Sequence, residues 1–367
     1  MSQPKRLEVA FVLGRLKTGG NETAALQLLQ RLDRARFNPH LVVLSSETDA
    51  IAQEFEALQI PVSFIPFNPR SPLSLAWRLR RQWRAHRTDV VLCYSYSAMH
   101  LWVHLGARLA GVPRRITRVA SWFDWIEPTL KRLQRYSRFV CTQNIAVSEF
   151  VGQRLLSIGS RPRDGITVIP NGCDVAKIHS RAAAARQSRP PSPPIITTVA
   201  RLEEAKDHAT LLQAFAIVRA AVPTARLRIV GDGPMRRSLE DLAATLQLQP
   251  AVEFLGTRRD VPELLGQSDV FAFSSHTEGF PNVLIEAMAA GVPVVSTDLP
   301  SCHEILDAGR VGILTPPHSS QDMARALLDL LEHADRREQL ATLAFERVSS
   351  TYAMDRMVAA YEALLAG

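Results

Sequence analysis

An alternation constrains this chain most. From Glu8 onward, short apolar runs rich in β-branched residues take turns with helical patterns, and the series occurs twice. Strand patterns fall at Glu8–Leu13, His40–Leu44, Val62–Ile65, Asp89–Cys93, Arg115–Thr117, Asn144–Val147 and Ile166–Ile169. Pro170-Asn171-Gly172 then reads as a turn. Residues 179–194, HSRAAAARQSRPPSPP, carry no strand signal and read as a linker. The series restarts at Ile195–Val199 and continues through Arg226–Val230, Val252–Phe254, Val270–Phe273 and Val294–Ser296. Apolar strands that alternate with helices imply parallel sheets covered on both faces. The expectation is an α/β protein of two Rossmann-like domains facing a central cleft. The first spans 1–175, a linker 176–194 and the second 195–349, with a last helix at about 350–367 packing back on the first domain. A length of 367 residues suits two cores better than one.

Charge is unevenly spread. Residues 1–180 hold 25 Lys and Arg against 13 Asp and Glu, a net +12; the remainder hold 18 against 23, a net −5. Such asymmetry places any anionic partner on the first half. There, residues 71–87, SPLSLAWRLRRQWRAHR, set Leu75, Leu79 and Trp83 at helical spacing, with Arg78, Arg81, Arg84 and Arg87 beside them. One reading packs the apolar stripe on a sheet. The other lays Trp77 and Trp83 at a lipid interface and the arginines on anionic headgroups. A second basic patch covers 131–138. No nucleic-acid motif appears. No apolar stretch approaches the roughly 18 residues of a spanning helix, and nothing reads as a signal peptide. Cys93, Cys141, Cys173 and Cys302 show no metal or redox spacing and read as free thiols. The expected location is cytoplasmic, with peripheral docking on the cytoplasmic face of the membrane.

Three stretches carry possible chemistry. In HTEGFPNVLIEAMAAG, Pro281 suits a helix start and Gly291 a helix end, so Asn282–Ala290 reads as one helix. Glu278 lies before its positive end and Glu286 about one turn inside, among apolar neighbours. Free N–H groups at such an end suit a phosphate. The plainer reading has Glu278 favouring the helix dipole and Glu286 on a solvated face. In VARLEEAKDH, Arg201 follows a strand and Lys206 precedes a helix. That pair suits a diphosphate; ordinary pairing among Glu203, Glu204 and Lys206 is the commoner explanation. In VGDGP, Gly233 permits close backbone approach to a ligand, as does Gly19-Gly20 after the first strand, although each is equally a tight turn.

Together with NIAVSEFVGQRLLSIG, ITVIPNGCD, LRIVGDGP, VEFLGTRRDVPELL and VGILTPP, these stretches resemble the retaining glycosyltransferase family 4, of GT-B fold. The resemblance covers nearly the whole chain and is strongest from Asn144 to Pro316. It implies sugar transfer from a nucleoside-diphosphate-sugar, of UDP or GDP type, to a lipid-linked or saccharide acceptor, in polysaccharide or lipopolysaccharide biosynthesis. By that resemblance Arg201 and Lys206 neutralise the donor diphosphate and Glu286 binds the ribose hydroxyls. Glu278 sits beside the donor sugar and the reacting carbon. The stretch Gly279, Phe280, Pro281, Asn282, Val283 and Leu284 lines the donor with the backbone N–H groups of its residues other than proline, Gly19 and Gly20 close over the diphosphate, and Gly256-Thr257 lies near the base. No Asp-x-Asp occurs in the chain, so the expectation is transfer without a metal or other cofactor. The family's frequent acceptor-side histidine is missing from Ile116–Asp124, which leaves Arg118, Ser121 and Asp124 as candidates. Two rivals use the same residues: a nucleotide-sugar epimerase or hydrolase on this fold, and a non-catalytic nucleotide-sugar-binding protein.

Overall fold

The computed structural model describes residues 6–94, 98–120, 136–159 and 163–367. Two units divide the chain, residues 1–171 with 357–367 and residues 172–356. In the first, β1 (Leu7–Leu13), α1 (Gly20–Arg31), β2 (Phe37–Val43), α2 (Ile51–Glu56) and β3 (Val62–Phe64) build outward from a central strand. α3 (Pro72–Ala85), β4 (Val90–Cys93), α4 (Ala98–Ala110), β5 (Arg114–Val119), β6 (Gln143–Ala146), α5 (Glu149–Ser157) and β7 (Ile166–Val168) build the other way. The sheet order is β3-β2-β1-β4-β5-β6-β7 and its pairs are parallel. Val9 to Leu13 and Val90 to Cys93 are buried on both faces, as strands covered by helices must be. β2 begins earlier than its apolar pattern and includes Pro39. Its pairing with β3 starts only at Leu41, so Pro39 lies where the strand has one neighbour.

α3 settles one of the two readings of the arginine-rich segment. Leu75, Leu79 and Trp83 are buried with Val91 and Val103 in the core. Trp83 therefore cannot lie at a lipid surface, which corrects that part of the expectation: at i, i+4, i+8 it shares the inward stripe. Trp77 falls outside the stripe and is 64% exposed, with Leu73 at 66%. Arg80 stacks on Trp77, its guanidinium carbon 4.6 Å from the ring centre.

The second unit repeats the plan. α6 (Val175–Gln187) leads into β8 (Ile195–Val199), α7 (His208–Ala221), β9 (Arg226–Val230), α8 (Arg236–Thr245) and β10 (Val252–Gly256). α9 (Val261–Gly266), β11 (Val270–Phe273), α10 (Asn282–Ala289), β12 (Val294–Thr297), α11 (Pro300–Ile305) and β13 (Ile313–Thr315) follow. α12 (Ser320–Glu332), α13 (Ala334–Thr351) and α14 (Met354–Ala366) complete the chain, α14 running into the first unit. The order is β10-β9-β8-β11-β12-β13, again parallel.

The expected linker at 176–194 is for the most part α6. Asp174 caps it, accepting from Lys177 N at 3.1 Å, and four successive alanines favour the helix. Arg181 grips Glu263 through two bonds of 2.7 Å. Ala182 is buried against Gly266, where an added Cβ would lie 2.1 Å from the Ala182 carbonyl oxygen. The helix belongs to the second unit, and the units divide between Asn171 and Gly172.

Candidate active site

β8 and β11 are the neighbours at which the second sheet reverses its direction of growth. Loops leaving the carboxyl ends of two such strands diverge, and the crevice they leave is the ligand side of open α/β sheets. Arg201 and Lys206 lie on the loop after β8, and Glu278 on the loop after β11. The loops are joined by their backbones. His276 N donates to Ala205 O at 3.0 Å, and Ser274 Oγ donates to Lys206 O at 2.9 Å.

Side chains complete the join. Lys206 Nζ forms an ion pair with Glu278 Oε1. Ser275 Oγ donates to the same oxygen at 2.9 Å. Ser301 Oγ donates to the Glu278 carbonyl at 3.2 Å, and Thr297 Oγ1 to the Ser275 carbonyl at 2.6 Å. Glu278 Oε2 has no hydrogen-bond partner among the described residues. The carboxylate is thus held by one oxygen and presents the other. Ser274, Ser275, Thr297 and Ser301 were not singled out from the sequence. Their signal was there: small hydroxyl residues at the ends of apolar strands or in the segment just beyond them, where buried loop carbonyls need donors.

Arg201 behaves differently from Lys206. Its side chain is 72% exposed and meets Glu203 Oε1 at 2.5 Å. One cation of the expected pair is therefore committed to Glu278 while the other remains in solvent. The backbone beneath Arg201 is set by the two glycines after β9. An added Cβ on Gly231, at φ +135°, would lie 1.9 Å from Ala200 O, and one on Gly233 2.5 Å from Leu202 O. Gly233 thereby acts as a packing contact that holds the Arg201 loop.

α10 begins directly after the turn that carries Glu278. Pro281 precedes it and no side chain caps it, so the positive end of the helix is directed at the loop. Gly279 and Leu284 are buried, and Phe280 packs edge-on against Tyr352 at 5.7 Å. Phe280 and Leu284 spend their side chains on the core. Asn282 and Val283 are half-buried. Glu286, one turn in, is half-buried, and burial raises its carboxyl above the ordinary 4.5. No side chain among the described residues bonds it. Its neighbour Cys173 has a thiol pushed up to about 12, by burial first and by the Glu286 charge second. A desolvated carboxylate without a partner is costly in the free protein.

Gly256 adopts φ +65° and accepts from Gly231 N at 2.8 Å, which leaves Thr257 exposed beyond β10. In the first unit, Gly19 precedes α1 and its carbonyl accepts from Thr23 N at 2.9 Å. An added Cβ would crowd Glu22 at Gly19 but meets nothing within 4 Å at Gly20. Arg118 is 1% exposed, so it is a buried brace. Its guanidinium donates to Asn21 Oδ1 and Asn171 Oδ1, each at 2.5 Å, and lies 5.3 Å from the centre of the Tyr94 ring. Two of its donors are thus used inside the unit, while Nε is buried without a hydrogen-bond partner among the described residues. Ser121, Asp124 and residues 131–135 of the second basic patch lie outside the described residues.

Comparison with known proteins agrees with this layout. The model described as Glycosyltransferase Family 4 matches residues 18–177, and the one described as Glycosyl transferases group 1 matches residues 180–347. EpsF of Bacillus subtilis, named as a glycosyltransferase, is 29% identical over 330 residues, 84% of this chain and 82% of that protein. WcaL of Salmonella typhimurium, named as a colanic acid biosynthesis glycosyltransferase, is 33% identical over 218 residues, 57% of this chain and 52% of its own. The crystal structure of Anabaena HepE in complex with UDP superposes with a TM-score of 0.86 over 99% of this chain and 100% of that one, at 21% identity, a likeness of fold. With the GT-B architecture on both sheets and both halves matched in order, the chain belongs to the GT-B glycosyltransferases, a Family 4 half followed by a group 1 half.

Proposed function

We propose that this glycosyltransferase moves a sugar from a nucleoside-diphosphate donor to a saccharide or lipid-linked acceptor with retention of configuration. The observation that carries the reading is the pairing of Lys206 with Glu278 at the strand-order reversal, with a partnerless Glu286 eight residues on. A desolvated carboxylate that lacks a protein partner suits the paired hydroxyls of a ribose. Arg201, Lys206 and the uncapped start of α10 supply positive charge where a leaving diphosphate becomes more negative. Glu278, held through Oε1, offers Oε2 to the donor sugar. The acceptor attacks from the face the diphosphate leaves, and the leaving phosphate takes its proton. These cations serve in place of a metal at the diphosphate. The solved HepE complexes with UDP and with UDP-glucose support a uridine donor, and the names of WcaL, for colanic acid biosynthesis, and of LpsE of Rhizobium meliloti, for lipopolysaccharide core biosynthesis, support a role in polysaccharide or lipopolysaccharide assembly.

The acceptor-side reading adds a membrane face. Leu73 and Trp77 are exposed on α3 among Arg78, Arg80, Arg81 and Arg84, an apolar and cationic surface that suits anionic headgroups. No helix among the described residues is long and apolar enough to cross a membrane. The test of the main reading is a thermal-shift screen of nucleotide sugars, followed by transfer assays with EDTA present and NMR of the product anomer. Stabilisation by one donor and an α-linked product from an α-linked donor are expected. Inversion, or transfer abolished by EDTA and restored by magnesium or manganese but not by zinc, overturns the corresponding part.

A further inference from the structure

Three loops at the carboxyl ends of β8, β11 and β13 bring together Asp207, His276 and His318. One ligating atom from each lies within 4.8 Å of the other two. His318 Nδ1 is 2.9 Å from Asp207 Oδ2, and the two imidazole rings are 5.2 Å apart, centre to centre. His276 Nδ1 is buried and has no hydrogen-bond partner. Asp207 also caps α7, accepting from Thr210 N through Oδ1 at 3.3 Å and from Thr210 Oγ1 through Oδ2 at 2.8 Å. That cap fixes its orientation and still directs Oδ2 toward the histidines. Asp207 and His318 both hold left-handed backbone, at φ +46° and +60°, where glycine would cost less.

We propose that Asp207, His276 and His318 form a three-ligand site for a divalent transition-metal ion of the zinc class. Two imidazoles and one carboxylate suit zinc, cobalt or nickel, whereas magnesium and calcium favour all-oxygen sites. Bonds of about 2.0–2.1 Å to a tetrahedral ion need ligand atoms about 3.3 Å apart. Asp207 Oδ2 and His318 Nδ1, 2.9 Å apart, need part by only a few tenths of an ångström, roughly, to reach that spacing, and exposed His318 has the freedom to adjust. The bound ion ties the Lys206 loop, the Glu278 loop and the loop before α12 to one another. It is separate from the diphosphate, whose charge falls to Arg201 and Lys206, and the site does not rest on the transferase reading.

The test uses untagged full-length protein, stripped by chelator and titrated with zinc chloride in a calorimeter. One equivalent is expected, with zinc raising the melting temperature. His318→Gly, which suits the left-handed backbone, and His276→Ala should each weaken binding by about tenfold or more. Cobalt(II) should give visible bands of a nitrogen and oxygen site without thiolate charge transfer. No uptake above buffer, wild-type affinity in His318→Gly, or a thiolate band overturns the proposal. None of these outcomes depends on sugar transfer, so failure of either reading is distinguishable from failure of the other.

Discussion

Lys206 and Glu278 stand 72 residues apart in the chain and form an ion pair at the point where the second sheet reverses. Each holds the other in place before a ligand arrives. The pair makes Lys206 part of how Glu278 is aimed, in addition to any contact it makes with phosphate. Lys206→Ala should lower kcat by about 10²–10³-fold, as loss of one preorganised donor does, and also lower the melting temperature, because Glu278 loses its counter-ion. Turnover and a melting curve check both effects. A kcat loss with no stability change would show that the pair does not hold the carboxylate.

Glu278→Gln keeps the shape and the Ser275 contact but removes the charge. Turnover should fall by about 10²-fold or more while nucleotide affinity, measured by calorimetry with UDP or GDP, changes little. Unchanged turnover would remove Glu278 from the reacting centre.

Glu286→Gln should act oppositely on stability and binding. The folded carboxyl titrates above 4.5 because burial disfavours its charged form. A folded pKa above the unfolded one means that the native state holds the extra proton. Its contribution is full below about 4.5 and is lost as pH rises through the raised folded value. The ligand-free variant should therefore gain melting temperature over wild type at neutral pH, with the gap shrinking toward pH 4. Nucleotide affinity should drop by about 10- to 100-fold, from loss of charge-assisted bonds to the ribose.

Arg201→Ala tests the exposed cation. Its side chain is mostly solvated, so its ion pair with Glu203 adds little stability. The melting curve should barely move while the donor KM rises about tenfold. Equal losses in both would show that Arg201 supports the fold instead.

Gly266→Ala tests the place of α6. The new methyl would meet the Ala182 backbone at 2.1 Å, so the two helices must separate. A loss of about 1–3 kcal/mol by urea unfolding is expected. A neutral result would mean that α6 is loosely attached.

The strand and helix order was legible because parallel sheets buried on both faces leave short, dense apolar runs such as Val270–Phe273. Glu278, Lys206 and Glu286 were legible as a spaced set. Their division of labour was not, because Lys206 could as well have paired with Glu203 or Glu204 nearby, and only the fold brings Glu278 closer. α6 was hidden for a related reason. Its alanines and arginines look like a linker until Glu263 and Gly266, about 80 residues later, give them something to pack against. Trp77 and Trp83 show the limit of composition: helical phase alone separates the buried ring from the exposed one.

Cys173 lies under the helix that carries Glu286, with a thiol that is nearly all protonated at neutral pH. A protonated, enclosed thiol is a poor nucleophile, so it reacts with an alkylating reagent only when the surrounding structure opens. The chain therefore contains its own clock. The rate at which Cys173 is labelled measures how often the structure around Glu286 comes apart, and any slowing of that rate by a nucleotide measures how firmly a ligand holds it shut.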